Sequence, residues 1–186
     1  MTVQHYDWSA YHSNVRPNKI AIRDLSNNQN LTYKELDDRA NQLAHWLQAN
    51  GVKKGDRIAI LSQNCAEFFE LEFACAKTGS VELPLNWRLT KPELEYILND
   101  STPHTLIYDE SFSEIAIDLV KDCNIKCSLQ IDKKDASSQY EQAIKDSDSD
   151  YEKVDCTQED LIMIMYTSGT TGHPKGAMIN HQMQLY

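Results

Sequence analysis

The sequence lacks any long apolar run. No stretch approaches the roughly 18 consecutive apolar residues that a membrane-spanning helix requires. The opening residues, MTVQHYDWSA, also lack the apolar core of a secretory signal peptide. We therefore expect a cytoplasmic protein with no integral membrane segment.

The chain is also short of positive charge. Its 186 residues include 18 basic and 28 acidic side chains, which give a formal net charge of -10, and the basic residues are scattered along the chain. Proteins that bind nucleic acids usually present a basic patch or stripe. The charge balance therefore argues against a nucleic-acid partner, and any bound phosphate must rely on local donors.

Cysteines are few and odd in number, and their spacing excludes the common metal motifs. The chain has five, of which Cys123 and Cys127 form a C-x-x-x-C pair without a second pair of ligands. This spacing is not that of a zinc finger, so the sequence predicts no metal site. Cys65 and Cys75 lie in a helical pattern rich in Phe and Leu, which favours buried, reduced thiols.

One stretch concentrates residues that bind phosphate. Residues 166–177, YTSGTTGHPKGA, directly follow the apolar run 161–165 and are here called the signature loop. Glycine lets the backbone turn successive N–H groups toward one anion, short hydroxyls add donors, and lysine adds a mobile cation. The residues that supply these groups are Gly169, Gly172, Gly176, Thr167, Ser168, Thr170, Thr171 and Lys175. The pattern predicts a polyphosphate-binding loop.

The signature loop differs from the nucleotide P-loop G-x-x-x-x-G-K-[ST]. Pro174 precedes Lys175 and Gly176 follows it, where a P-loop has glycine before the lysine and Ser or Thr after it. This difference argues against a kinase or GTPase. The order Thr-Ser-Gly-Thr-Thr-Gly-x-Pro-Lys-Gly instead resembles the signature of the adenylate-forming (AMP-binding) superfamily, which includes acyl-CoA synthetases, luciferases and peptide-synthetase adenylation domains.

Upstream residues resemble the acyl-CoA synthetase branch of that superfamily. The phrase Asn86-Trp87-Arg88-Leu89-Thr90, followed by Glu93-Leu94 and YILNDS at 96–101, is similar to its N-x-R-L-T...E-L-x-Y-I-L-x-D-S run. The resemblance covers residues from about 11 to 177, and residues 120–155 match it poorly. It favours a ligase that joins a carboxylic acid, as the small-molecule substrate, to coenzyme A.

The resemblance implies a two-step reaction that consumes ATP. A carboxylate attacks the α-phosphate of ATP to give an acyl-adenylate and pyrophosphate, and a thiol, usually that of coenzyme A, then takes the acyl group. It implies that the β- and γ-phosphates are held by Thr167, Ser168, Gly169, Thr170, Thr171, Gly172 and Lys175. Lys175 would offset charge on the departing pyrophosphate, which is an electrostatic role rather than a nucleophilic one. Mg2+ would accompany the nucleotide.

Alternating patterns predict the fold. Short strand patterns at 19–23, 56–61, 80–85, 105–108 and 126–131 alternate with amphipathic helical patterns, two of which begin with the capping boxes Thr32/Glu35 and Thr90/Glu93. Strands separated by helices pair in parallel through right-handed crossovers, so we predict an α/β fold with a doubly wound, mostly parallel sheet flanked by helices. It would form the N-terminal portion of the large domain of an acyl-CoA synthetase-like enzyme.

We predict three parts along the chain: a first α/β unit at 1–145, an acidic linker at 146–160, and the strand, the phosphate-binding loop and the start of a helix at 161–186. The resemblance places the other working parts, including an adenine-binding segment, a hinge and the adenylation lysine, in a missing C-terminal portion. We therefore expect an N-terminal fragment that is inactive alone. An amino-acid or aryl-acid adenylation domain and a non-catalytic nucleotide-binding module remain alternatives.

Overall fold

The computed structural model describes residues 7–25, 29–132, 135, 137–167 and 174–185. The helices in these ranges are α1 Trp8–Val15, α2 Tyr33–Ala49, α3 Ala66–Thr78, α4 Lys91–Ser101, α5 Ser113–Asp122 and α6 Gln139–Asp146. The strands are β1 Ile20–Asp24, β2 Gln29–Thr32, β3 Arg57–Leu61, β4 Val81–Pro84, β5 Thr105–Asp109, β6 Cys127–Ile131, β7 Leu161–Thr167 and β8 Lys175–Asn180. The described part of the chain also contains short 3₁₀ helices at Glu110–Phe112 and His181–Leu185.

Within the described ranges, the main sheet has six strands in the order β6-β5-β3-β4-β7-β8. The pairs from β6 to β7 are parallel, and β8 pairs antiparallel with β7. The chain runs from β3 to β4 on one side and then crosses to β5 and β6 on the other, as in doubly wound sheets. The predicted fold class is therefore confirmed. A separate antiparallel hairpin joins β1 and β2.

Helices cover both faces of this sheet. One buried cluster packs α2, α3 and α6 against the sheet through residues that include Leu47, Leu71 and Ile144. A second cluster packs α4 and α5 against the opposite face through residues that include Leu98 and Leu119. Alternating strand residues point to opposite faces, so Ile58 and Ile60 belong to the first cluster and Ala59 and Leu61 to the second.

Local capping sets two of the helix starts. Thr32 and Thr90 each form a capping box, with Glu35 and Glu93 respectively, as predicted. Gly79 ends α3 with a φ of 68°, a left-handed conformation that glycine adopts without steric cost. Helix α3 begins with Cys65 as its N-cap, and the Cys65 side chain makes no capping hydrogen bond.

A buried charge cluster attaches α1 to the rest of the protein. The Lys77 ammonium on α3 donates to Asp7 Oδ2 at 2.9 Å and to Asp37 Oδ1 at 2.8 Å. Asp7 is the N-cap of α1 and Asp37 belongs to α2. The Ser9 hydroxyl donates to Asp37 at 2.7 Å. Burial alone lowers the pKa of Lys77, but the two carboxylates outweigh it and raise that pKa above its ordinary value.

A second buried network joins α2, α3 and α6. Arg39 donates to Glu70 at 2.7 Å and, through two nitrogens, to Glu141 at 2.9 and 2.6 Å. The buried Tyr140 hydroxyl donates to the other Glu70 oxygen at 2.8 Å. These bonds satisfy both oxygens of a fully buried carboxylate, and that satisfaction is what allows such a group inside a core.

The segment from Ser147 to Asp160 lies along the end of α2 and the start of β3. Gln48 donates to the Glu152 carbonyl at 2.7 Å and accepts from the Glu152 N–H at 2.9 Å. The Lys54 ammonium donates to the Asp155 carbonyl at 2.8 Å and to the Asp160 carboxylate at 2.7 Å. Several bonds therefore tie this acidic segment to the protein surface. The division of the chain into three parts stays a prediction.

One buried carboxyl is not neutralised by a cation. Glu82 lies in the central strand β4, is 2% exposed, and its Oε2 has no hydrogen-bond partner among the described residues. Burial, with a smaller contribution from Glu72, raises the pKa of Glu82 well above its ordinary value of 4.5. The folded protein therefore holds this proton at pH values where the unfolded chain has released it.

The Glu82 proton makes stability depend on pH. Because its folded pKa is raised, the free energy of unfolding falls as pH rises from about 4.5 toward the folded pKa. We expect Glu82→Gln, which cannot ionise, to reduce that decline in urea unfolding measured between pH 5 and 8. The exposed Glu159→Gln is the matched control and should leave the decline unchanged. An identical decline in wild type and Glu82→Gln would show that Glu82 is not the source.

The five cysteines are free thiols in this fold, and Cys65 and Cys75 are buried as predicted.

No helix within the described residues is long and apolar enough to cross a membrane.

Candidate functional site

The signature loop, residues 166–177, begins in β7 and ends in β8. β7 ends at Thr167 and β8 begins at Lys175, and these two residues are direct antiparallel partners in the register. Paired residues of this kind have Cα atoms about 5 Å apart. The hairpin therefore brings the first hydroxyl and the lysine of the predicted phosphate site side by side at the carboxyl end of β7.

Five of the predicted site residues lie outside the described part of the chain: Ser168, Gly169, Thr170, Thr171 and Gly172. They fall within the connection from Thr167 to Lys175, so both ends of the predicted phosphate loop are fixed by strand pairing. Their assignment to the β- and γ-phosphates stays a prediction.

The two described ends of the loop are open to solvent. Thr167 and Lys175 are both exposed. Among the described residues no carboxylate forms a salt bridge with the Lys175 ammonium, in contrast to the paired Lys54 and Lys77. Thr167 lies at the carboxyl end of β7, which pairs in parallel with β4. Its hydroxyl and the neighbouring Lys175 ammonium form a suitable donor pair for a phosphate.

Tyr166 ties the hairpin to α4. It is the last residue of β7 before Thr167, and its hydroxyl donates to the Asp100 carboxylate. Burial and this hydrogen bond raise the pKa of Tyr166 above its ordinary value, so the hydroxyl keeps its proton at neutral pH. The bond fixes β7 at the first residue of the signature loop. Sequence reasoning did not assign a role to either residue, because their separation of 66 positions gives no local signal.

Gly176 is required for close packing rather than for backbone freedom. It lies inside β8, and its φ is not among the positive values that the described glycines Gly51, Gly55 and Gly79 adopt. A Cβ placed on Gly176 would lie 2.9 Å from Ile164 Cγ2 and 3.2 Å from the Tyr166 ring. The expectation that Gly176 helps to turn the loop backbone is therefore corrected: a side chain here would push against the strand opposite.

We expect Gly176→Ala to destabilise the protein by about 1 to 3 kcal/mol, the usual cost of overpacking. Ile164 is β-branched and stiff, so it cannot move away cheaply. Thermal and urea unfolding measure the change, and the neighbouring exposed Ala177→Ser serves as the control. A Gly176→Ala protein as stable as the control would contradict the close approach.

A second group of residues follows the carboxyl end of β4. The Asn86 side chain accepts from the Arg88 N–H at 3.1 Å, which forms a local turn. The Arg88 guanidinium lies 4.1 Å from the Trp87 ring centre, and that ring lies 6.4 Å from Phe112. The turn leads directly into the capping box of α4. The sequence pattern Asn-Trp-Arg-Leu-Thr therefore corresponds to a structured turn in front of a helix.

His181 marks the end of β8. It is buried, and its backbone N–H donates to the Asp160 carbonyl at 3.1 Å, next to the first residue of β7. Burial lowers the pKa of His181 and so favours the neutral imidazole. The hairpin is therefore held at both ends, by Tyr166 near the loop and by His181 at its base. Within the described residues no group of three or more His, Cys, Asp or Glu side chains is arranged to hold a metal ion.

Comparison of the sequence with known proteins identifies longer ligases. A long-chain-fatty-acid–CoA ligase of Mycobacterium tuberculosis is 37% identical over 168 residues, covering 90% of this chain and 33% of the relative. A fatty acid–[acyl-carrier-protein] ligase of Streptomyces coeruleorubidus is 32% identical over 174 residues, covering 94% of this chain and 32% of the relative. The chain thus spans about a third of the length of these relatives.

Solved structures show the same architecture. A fatty acyl CoA synthetase of Mycobacterium tuberculosis superposes with a TM-score of 0.83 at 31% identity, covering 95% of this chain and 34% of that one. An anthranilate CoA ligase in complex with anthranoyl-AMP gives a TM-score of 0.85 at 26% identity, covering 95% and 33%. The family described as AMP-binding enzyme matches residues 9–186. The chain therefore belongs to the AMP-binding enzyme family.

Proposed function

We propose that these 186 residues are the N-terminal part of an ATP-dependent carboxylic acid–CoA ligase that acts through an acyl-adenylate. The observation that carries this proposal is the β7–β8 hairpin, which sets Thr167 beside Lys175 at the two ends of a glycine- and threonine-rich loop. The part described here would contribute the loop that holds the ATP phosphates. A longer polypeptide would supply the remaining C-terminal portion.

The chemistry assigned to the loop is charge stabilisation. Attack of a carboxylate on the α-phosphate of ATP transfers negative charge to departing pyrophosphate. The Lys175 ammonium and the hydroxyls and backbone N–H groups of residues 167–172 would offset that charge and hold the triphosphate for in-line attack. Lys175 suits the role because it is exposed and is not paired with a carboxylate among the described residues.

The other reactants follow from the same proposal. Mg2+ commonly binds through substrate phosphates and one or two carboxylates, so it would accompany ATP. Coenzyme A would supply the thiol that takes the acyl group. The relatives named above as fatty acid ligases favour a fatty acid as the carboxylic acid substrate.

An aryl acid is the second candidate substrate. A feruloyl-CoA synthase from an Amycolatopsis species is 34% identical over 174 residues, covering 94% of this chain and 33% of the relative. The anthranilate CoA ligase structure superposes as well as those of the fatty acid enzymes. Both candidates share the adenylation chemistry and differ only in the acid.

Formation of acyl-CoA tests the proposal. The polypeptide encoded by the whole reading frame that contains these 186 residues is incubated with ATP, Mg2+, coenzyme A and a fatty or aryl acid. Chromatography is expected to show an acyl-CoA whose formation depends on both ATP and the acid. A folded full-length protein that forms no thioester with any acid would favour the nucleotide-binding module without catalysis.

The 186-residue chain alone is expected to form no acyl-CoA under the same conditions. The physical reason is that phosphate donors alone can clamp a triphosphate but do not orient the acid and the α-phosphate for reaction. Circular dichroism confirms that the chain is folded before the assay. Thioester formation by the purified chain at a rate similar to the full-length protein would contradict this expectation.

A further inference from the structure

A groove lies between the C-terminal half of α2 and helix α6, far along the chain from the signature loop. Its volume is about 520 Å³, which falls in the range of about 300 to 1,000 Å³ that is typical of ligand sites. One face of α6 lines it, with residues at the spacing i, i+3, i+4, i+7: Gln139, Gln142, Ala143 and Asp146. We call it the α2–α6 groove.

The floor of this groove is apolar. Leu129, on the edge strand β6, is 5% exposed and belongs to the first buried cluster. Trp46 on α2 and Ala143 on α6 pack against the same cluster and are only partly buried. Ala49, the last residue of α2, also lines the groove and is exposed. The groove therefore presents the edge of the hydrophobic core to a ligand.

Hydrogen bonds hold both walls of the groove in place. The bonds from Arg39 to Glu141 fix α6 against α2 on the side away from the groove. His45, which lines the groove, donates from Nδ1 to the Asp150 carbonyl at 2.6 Å. The Gln142 amide donates to Asp146 Oδ1 at 2.7 Å along the rim. A site with walls fixed in this way loses little conformational freedom when a ligand binds.

The rim of the groove is acidic. Residues 146–152, DSDSDYE, include the end of α6 and the start of the acidic segment, and contain four acidic side chains and no basic one. All four are exposed: Asp146, Asp148, Asp150 and Glu152. Among the described residues none of the four forms a salt bridge, in contrast to Asp160 with Lys54. Negative charge therefore surrounds one side of an apolar floor.

We propose that the α2–α6 groove binds a basic peptide segment of a partner protein. An apolar side chain of that segment would lie on the floor formed by Trp46, Leu129 and Ala143, and lysine or arginine side chains would meet the acidic rim. A groove between helices that takes an apolar anchor is a common mode of peptide recognition. The charged rim selects the partner, because complementary charge steers encounter and excludes wrong partners.

The same charges argue against other ligands. Nucleic acids and acidic phospholipids carry negative charge and would be repelled by the rim. Within the described residues no group of three or more His, Cys, Asp or Glu side chains is arranged to hold a metal ion. A small polyamine matches the charge but has no bulky apolar group to cover the floor. A basic peptide matches both the floor and the rim.

Fluorescence anisotropy of a labelled peptide tests this assignment. The probe is a short amphipathic peptide of leucine and lysine, and the comparison peptide has glutamate in place of lysine. We expect the 186-residue chain to bind the first and not the second. Asp146→Asn/Asp150→Asn should bind about twofold to fivefold more weakly for each charge removed, and added salt should weaken binding further. Ala49→Lys, which places a cation in the groove, should weaken binding by at least about tenfold.

The matched control is Asp155→Asn/Glu159→Gln, which removes the same charge from exposed residues of the acidic segment that do not line the groove. It should bind the peptide like wild type, and circular dichroism verifies that each variant is folded. Spermine, added at equal positive charge, should displace the peptide poorly.

Four results would each overturn the proposal. They are no binding of the leucine–lysine peptide by wild type, equal weakening in the Asp155→Asn/Glu159→Gln control, and displacement by spermine as effective as by unlabelled peptide. The fourth is a dimer in size-exclusion chromatography that Ala49→Lys abolishes while wild type binds no peptide, which would show that a second copy occupies the groove.

Discussion

Lys77→Ala is expected to lower the free energy of unfolding by about 3 to 5 kcal/mol, the cost of leaving buried carboxylates without their cation. The Lys77 side chain is 1% exposed and donates to both Asp7 and Asp37. Its loss would place two acidic groups near each other in a buried site. Since a domain of this kind is stable by roughly 5 to 15 kcal/mol, the effect should be large in urea unfolding.

The exposed pair of Lys34 and Asp38 on α2 is the matched control. The Lys34 ammonium lies 2.8 Å from the Asp38 carboxylate, the same distance as between Lys77 and Asp37. However, the Lys34 and Asp38 side chains are 59% and 45% exposed. Pairs of this kind contribute about 0.3 to 0.5 kcal/mol, so Lys34→Ala should have little effect. If Lys77→Ala proved as mild as Lys34→Ala, the cluster would not be what attaches α1 to the protein.

Lys175→Ala in the full-length polypeptide is expected to slow adenylation by about a hundredfold to a thousandfold, as the loss of one preorganised donor does in other enzymes. The lysine would act on phosphate charge and not on the acid, so the KM for the carboxylic acid should change little. Pyrophosphate release in the first turnover measures the rate. Lys175→Arg keeps the charge and should retain more activity than the alanine variant.

The control for this substitution is Lys153→Ala, which removes another exposed lysine, in the acidic segment and outside the signature loop. It should adenylate at the wild-type rate. An unchanged rate in Lys175→Ala would remove this residue from the mechanism. A change in the preference among acids would show that it acts on the acid substrate instead.

Local sequence signals predicted most of the fold. The capping boxes at Thr32 and Thr90 satisfy orphan N–H groups within one helix turn, so the sequence pattern alone identifies them. The parallel sheet followed from the alternation of strands and helices. The same reasoning missed α6 because its eight residues carry mainly polar side chains, and only Tyr140 and Ile144 are buried.

Contacts between distant residues were not predictable from local patterns. Helix α1 was missed because its inner face is polar and its outer face is apolar, the reverse of the usual pattern. Its partner Lys77 lies 70 positions from Asp7, and Lys77 shows no local sign of burial. The packing role of Gly176 likewise depends on Ile164 in the strand opposite. Each of these features depends on the tertiary structure.

The assignment of the candidate site rests on composition and resemblance and stays a prediction. The order of residues in the signature loop indicated phosphate binding, and the strand pairing of Thr167 with Lys175 supplies a geometry suited to it. The sequence did not reveal that Tyr166 fixes the hairpin to Asp100, because a single Tyr–Asp hydrogen bond leaves no periodic pattern.

Exchange of labelled pyrophosphate into ATP tests the central claim most directly. The full-length polypeptide that contains these residues is assayed with a fatty acid, an aryl acid or an amino acid. Each assay is repeated without the acid as a control. We expect exchange that depends on a fatty or aryl acid and that Lys175→Ala slows. Exchange with an amino acid alone would move the protein to the peptide-synthetase branch. No exchange with any acid, from a folded full-length protein, would contradict adenylation as its activity.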